Sequence, residues 1–136
     1  MAVRKIDYCK LIVPAKAGSG AEILETLRDE GVSLLAFTGF PLGGGKAQID
    51  LVAPRVADLR RVARKHGWRL GPVRKGFLVQ GRDAVGAVYR HLAKLAKQRI
   101  SVTAADAVAA GGGRFGMILW VKPRDVGRAG RALGAR

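Results

Sequence analysis

The chain has 136 residues, of which 25 are Lys or Arg and 10 are Asp or Glu, so its formal net charge is +15. Its single cysteine excludes an internal disulfide framework, and a hydrophobic content of 49% excludes a disordered basic tail. No apolar run reaches the roughly 18 residues of a membrane-spanning helix, and the first ten residues lack a signal-peptide core. We therefore expect a soluble cytoplasmic protein whose charge favours anionic partners.

The chain repeats itself at a spacing of about 68 residues. The order of the matched positions is collinear, which predicts two copies of one unit, residues 1–73 and 74–136. The positions brought into register are Gly18 with Gly86, Leu24 with Leu92, Leu27 with Leu95, and Gly43–Gly45 with Gly111–Gly113.

The first half of the unit combines a strand, a helix and a second strand. Lys10–Val13 is a short β-forming run. Ile23 and Leu27 then recur at helical spacing, and Gly31 is placed to end that helix. Val32–Phe37 is again rich in β-forming residues and predicts the next strand.

The second half of the unit repeats the order of strand, helix and strand. Ala47–Leu51 alternates with period two, as a half-buried antiparallel strand does. Arg55–His66 predicts a helix that Gly67 ends, and Trp68–Leu70 predicts a closing strand. The order βαββαβ is that of a ferredoxin-like unit, so we expect an α+β protein of two tandem units with antiparallel sheets.

The second copy differs from the first at its end. Its helices are predicted as one continuous helix over 82–98 and a second over Arg124–Leu133, after which too few residues remain for a fourth strand. A strand from elsewhere would then cover the open edge of its sheet. The candidate donors are Arg4–Val13 and Trp68–Val79.

One strand suggests how the protein assembles. Gln48 and Asp50 are predicted on the sheet face away from the helices, and Met117 and Leu119 are assigned to that face in the second copy. An apolar face should be covered, either by the other copy or by another chain. We therefore expect a homodimer.

The loop before the second copy's first helix carries a resemblance to a known family. Asp83–Val88 reads Asp-Ala-Val-Gly-Ala-Val and resembles the Asp-Lys-Pro-Gly-Ala-Leu loop of ACT domains, which are small-molecule-sensing modules of amino-acid metabolism. Ala15–Gly18 is similar, with Ala15 in place of the acidic residue. Glu30–Ser33 resembles the ACT pattern of a helix that ends in Gly before a strand.

The resemblance implies a stand-alone regulatory protein that binds an amino acid. The positions carried over are Lys16, Gly18, Asp83 and Gly86. Helix N-terminal amides and glycine suit a carboxylate, and Asp83 would meet the ammonium group, which makes Gly81–Ala87 the expected main anchor. Asp83 is also a candidate helix N-cap, and the two roles can coexist.

No residues group into a catalytic or metal-binding constellation, so we expect neither catalytic activity nor a cofactor. His66 and His91 lack ligand-spaced Cys or carboxylate neighbours. Cys9 has no base nearby in sequence, which favours a packed thiol. Gly39–Ala47 lacks the spacing of a phosphate-binding loop and predicts a hairpin turn instead.

RNA binding is the alternative function. Phe115 and Trp120 lie on the strand where RNA-recognition motifs place stacking aromatics, although Met117 takes the main stacking position. The positive charge supports this alternative, yet much of it lies on helices, where a solvated face is the ordinary explanation.

Overall fold

A computed structural model describes residues 2–136. Within this range the chain forms six strands and four helices, and a short 3₁₀ turn at Pro123–Asp125 precedes the last helix. In chain order the elements are β1 (Ala2–Pro14), α1 (Ser19–Asp29), β2 (Ala36–Gly43), β3 (Lys46–Val52), α2 (Val56–His66), β4 (Arg74–Arg82), α3 (Ala87–Lys97), β5 (Val102–Gly111), β6 (Arg114–Val121) and α4 (Val126–Leu133).

The chain divides into two compact units. Asp7–Arg74 forms the N-terminal unit, in which the strand order is β2-β3-β1. Residues 2–6 and Lys75–Arg136 form the C-terminal unit, in which the order is β1-β4-β6-β5. The single long strand β1 therefore contributes to both units. That these units are two copies of one domain stays a prediction.

The N-terminal unit packs two helices on one face of its strands. α1 buries Ile23 and Leu27, which lie one turn apart, and α2 buries Leu59 and Val62. In β3, the alternate residues Ile49 and Leu51 point to this face. The core is completed by Leu11 and Ala53.

The C-terminal unit has a core of the same kind. Phe77 and Val79 of β4 and alternate residues of β6 pack beneath α3 and α4, which contribute Leu95 and Leu133. Val3 joins this core from the N-terminal end of β1.

Two predicted boundaries are wrong by several residues. The helix predicted over 82–98 begins at Ala87, because Gly86 has a φ of 78°, in the left-handed region, and cannot belong to a right-handed helix. The strand predicted to start at Val32 starts at Ala36. The Val32 amide still donates to the carbonyl of Leu27 at 2.9 Å, so the chain is leaving α1 at that point.

The fourth strand position differs from the expectation in the N-terminal unit. Trp68–Leu70 forms no strand, and this segment is held to β1 by the amide of Gly71, which donates to the carbonyl of Lys10 at 2.8 Å. In the C-terminal unit, β1 lies beside β4. The strand β1 contains Arg4–Val13, which is one of the two expected donors. The Lys5 amide also donates to the Arg136 carbonyl at 3.2 Å.

The assignment of Met117 and Leu119 to the face away from the helices is wrong. Both lie in the core beneath α3 and α4, because Leu119 pairs with Phe77 and directly paired residues share a face. Ile118 lies on the other face and is buried. These two residues therefore give no support to a homodimer, which stays a prediction.

Candidate ligand-binding site

A cavity of about 410 Å³ lies at the start of α1 in the N-terminal unit. The strand β1, the loop after it and the hairpin of β2 and β3 form its walls. Lys16 supplies the only charged side chain among its lining residues, while Phe37 and Phe40 supply apolar surface. The cavity thus offers one cation beside two aromatic rings.

The loop that leads into α1 lines this cavity up to the first turn of the helix. Gly18 is the N-cap residue of α1, with a φ of 92° and no capping side chain. The Ala15 amide donates to the carbonyl of Gly45 at 2.8 Å, which fixes the loop to the β2–β3 turn. The first amides of a helix have no intrahelical acceptor and carry the positive end of its dipole. This end of α1 is therefore suited to an anion.

Ser19 is the residue that sequence reasoning missed. It lines the cavity and is only 7% exposed, and its hydroxyl has no hydrogen-bond partner within residues 2–136. An unsatisfied buried hydroxyl costs about 1–3 kcal/mol. A hydroxyl residue directly after Gly18 is the signal that could have revealed it.

A smaller cavity of about 230 Å³ lies at the start of α3 in the C-terminal unit. Asp83 and Gly86 both line it, together with Tyr89, Val108 and Phe115. The Asp83 amide donates to the carbonyl of Gly113 at 2.9 Å, as the Ala15 amide does to Gly45 in the other unit.

The N-cap interpretation of Asp83 is wrong. Gly86 is the N-cap residue of α3, and no side chain caps this helix. Asp83 lies three residues before that position, is exposed and lines the surface cavity. The structure thus brings Asp83 together with Gly86, and places Lys16 next to Gly18 in the other unit.

The described part of the chain contains no group of three His, Cys, Asp or Glu residues that could hold a metal ion. Cys9 is buried, and burial raises the pKa of its thiol; nearby Arg60 lowers this pKa and Asp7 raises it. A protonated, enclosed thiol is a poor nucleophile.

Within residues 2–136, no helix is long and apolar enough to cross a membrane.

Phe115 and Met117, two residues of the strand that the RNA alternative requires for stacking, do not lie on an open sheet face. Phe115 is 4% exposed and its ring centroid lies 6.4 Å from that of His91 on α3. Met117 is 2% exposed in the same core. Burial beneath α3 removes both side chains from contact with a base.

Known proteins resemble this chain in structure alone. No protein-family model and no curated protein matches the sequence. A protein from Bacteroides thetaiotaomicron is similar over 97% of this chain and 88% of its own, with a TM-score of 0.81 at 11% identity. The ligand-free regulatory subunit of aspartate kinase from Thermus thermophilus is similar over 98% of this chain and 95% of its own, with a TM-score of 0.62 at 15% identity.

A longer enzyme contains a similar region. Aspartokinase III of E. coli, determined in complex with aspartate and ADP, is similar over 97% of this chain and 32% of its own, with a TM-score of 0.54 at 14% identity. At such identities the likeness concerns the fold. The chain has an α+β fold similar to that of regulatory subunits of aspartate kinase, which confirms the expected α+β class, while the arrangement in two tandem units stays a prediction.

Proposed function

We propose that the chain is an ACT-like regulatory protein that binds a small molecule of the amino-acid class and has no catalytic activity of its own. The observation that carries this proposal is the cavity at the start of α1, which contains a buried hydroxyl without a partner. Its volume of about 410 Å³ falls within the range of ligand pockets. The similar structures include regulatory subunits of aspartate kinase, which supports the same function.

The ligand's carboxylate would bind at the N-terminus of α1. The Lys16 ammonium and the first amides of the helix attract it, and Gly18 allows close approach because it has no side chain. The Ser19 hydroxyl, which lacks a partner in the structure, would donate to the same group. Phe37 and Phe40 would contact the apolar part of the ligand.

The C-terminal unit would bind a different group. Asp83 at the start of α3 favours a cation such as an α-ammonium group, and Gly86 again exposes helix amides. The sequence favoured this loop as the main anchor. The larger cavity and the unpartnered Ser19 hydroxyl lead us to propose the N-terminal unit instead.

The test is a thermal-shift screen of each standard amino acid, followed by calorimetric titration of any that raises the melting temperature. Lys16→Gln removes a charge-assisted contact and should weaken the affinity about tenfold. Lys46→Gln is the matched control, because it removes the same charge from β3 outside the cavity lining. The proposal fails if no amino acid stabilises the protein, or if both variants change the affinity equally.

A further inference from the structure

A second groove in the N-terminal unit is separate from the cavity at α1 and shares no lining residue with it. It measures about 730 Å³ and lies between α2 and the extended segment that follows it. Its lining residues are Arg60, Ala63, Arg64, Trp68, Arg69, Leu70, Gly71, Pro72 and Val73.

Three guanidinium groups in this groove have no acidic partner within residues 2–136. Arg60 and Arg64 lie one turn apart on α2, and Arg69 lies on the opposite wall. The neighbouring cations on α2 do have an acidic partner. The Glu30 carboxylate lies 2.8 Å from the Lys65 ammonium and 3.5 Å from the Arg61 guanidinium. Positive charge is therefore compensated on one side of α2 and left uncompensated on the side that lines the groove.

The wall opposite α2 is held in place by the backbone. Gly67 ends α2 with a φ of 69°, and the Trp68 amide donates to the carbonyl of Ala63 at 2.9 Å. The Gly71 amide donates to the backbone carbonyl of Lys10, and a Cβ at position 71 would lie 3.1 Å from Lys10 Cγ. Because the wall fits this closely to β1, little ordering is needed when a ligand binds.

Trp68 and Leu70 add apolar surface to the charged groove. Both are half-buried and pack against the core of the N-terminal unit. An indole beside guanidinium groups suits a ligand that carries a planar ring as well as negative charge, because aromatic side chains stack on nucleobases.

We propose that this groove binds a phosphate group attached to a planar base, as in a nucleotide. The guanidinium groups of Arg60 and Arg64 hold the phosphate oxygens, for which their planar fork is well matched. Trp68 contacts the base and Arg69 adds charge from the opposite wall. A free nucleotide and a nucleotide of a single strand share this chemistry. The site is independent of the proposed amino-acid cavity.

The test compares two double variants of the full chain by calorimetric titration with ADP. Arg60→Gln with Arg64→Gln removes two charges from the groove, and the dissociation constant should rise about tenfold or more. Arg90→Gln with Lys94→Gln removes two charges at the same spacing from α3, which does not line the groove, and should leave the dissociation constant within about twofold. Equal weakening by both pairs, or no binding of ADP at millimolar concentration, overturns the proposal.

Two further probes examine the ring and the source of the ligand. ADP should bind more tightly than inorganic pyrophosphate, and it should change the fluorescence of Trp68 in a Trp120→Phe background. Equal binding of the two ligands, or an unchanged Trp68 signal, overturns the assignment of the base to Trp68. A short single-stranded oligonucleotide that binds more tightly than ADP, with the same sensitivity to the Arg60 and Arg64 changes, supports the site and assigns its source to a strand.

Discussion

Glu30 connects the two helices of the N-terminal unit. Its carboxylate lies at the end of α1 and is 2.8 Å from the Lys65 ammonium and 2.9 Å from His66 Nε2, both on α2. These hydrogen bonds, first from Lys65 and then from His66, lower the pKa of Glu30 from 4.5 to about 2. Three side chains of α2 meet one acidic residue, since Arg61 also reaches it at 3.5 Å.

This pKa predicts a loss of stability in acid. Because the folded pKa of Glu30 lies below its unfolded value, its contribution is fully present above about pH 4.5 and is lost as the pH falls towards 2. The wild-type protein should therefore melt at a higher temperature than Glu30→Gln at pH 6, and the difference should shrink between pH 5 and pH 2.

Glu25→Gln is the control, because it removes the same charge from the same helix but only a 4.0 Å contact to Arg28 between exposed side chains. Its melting temperature should track that of the wild type at each pH. A Glu30→Gln difference that stays constant down to pH 2 would contradict the assignment.

At the scale of the element, the first helix of each unit follows a glycine in the left-handed region. Gly18 precedes α1 with a φ of 92° and Gly86 precedes α3 with a φ of 78°. This geometry turns the chain sharply from a strand into a helix, and Lys16 and Asp83 lie in the loops that lead into the two helices.

Gly18→Ala should lower the free energy of unfolding by about 1–2 kcal/mol, which is the cost of the left-handed conformation for a residue with a Cβ. No other group contributes to this cost, because a Cβ at Gly18 would meet no atom within 4 Å. Urea unfolding monitored by circular dichroism measures the change.

Gly127→Ala in α4 is the comparison. Gly127 has an ordinary helical conformation and its Cβ would meet only the end of Arg131 at 3.6 Å. This change should raise the free energy of unfolding by about 0.5–1 kcal/mol. If both substitutions shifted stability in the same direction, the backbone explanation would be wrong.

At the scale of the whole molecule, the decisive feature is the first strand. Residues 2–6 belong to the C-terminal unit, although the rest of β1 belongs to the N-terminal unit. Val3 is buried in the C-terminal core with Phe77, and its carbonyl accepts the amide of Arg136 at 3.1 Å. Residues 2–6 therefore complete a unit whose remaining residues begin at Lys75.

A chain that starts at Asp7 should expose the edge of β4 and weaken the C-terminal unit. The expected result is faster amide exchange at Phe77 and Val79, because local opening sets the exchange rate. Arg4→Ala, at an exposed position of the same strand, should leave exchange at these residues unchanged. Unaltered protection of Phe77 and Val79 in the shortened chain would show that β4 does not depend on residues 2–6.

Local patterns in the sequence were sufficient for much of the fold. The helical spacing in Arg55–His66 predicted α2 to within one residue, because Gly67 ends the helix by its own conformational freedom. The period-two alternation of Ala47–Leu51 placed Ile49 and Leu51 on the buried face of β3. The same local signals located the loops at Lys16, Gly18, Asp83 and Gly86, since glycine before a helix is visible in sequence.

Only the tertiary structure decided which distant segments meet. Strand pairing depends on residues far apart in the chain, so no local period could choose between the two donors or correct the face of Met117 and Leu119, whose neighbours across the sheet fix it. The unpartnered Ser19 hydroxyl became visible once strands and helix enclosed it. The sequence shows that the chain is rich in arginine, but not that Arg60 and Arg64 line a groove. The groove forms because the segment after α2 is hydrogen-bonded to β1.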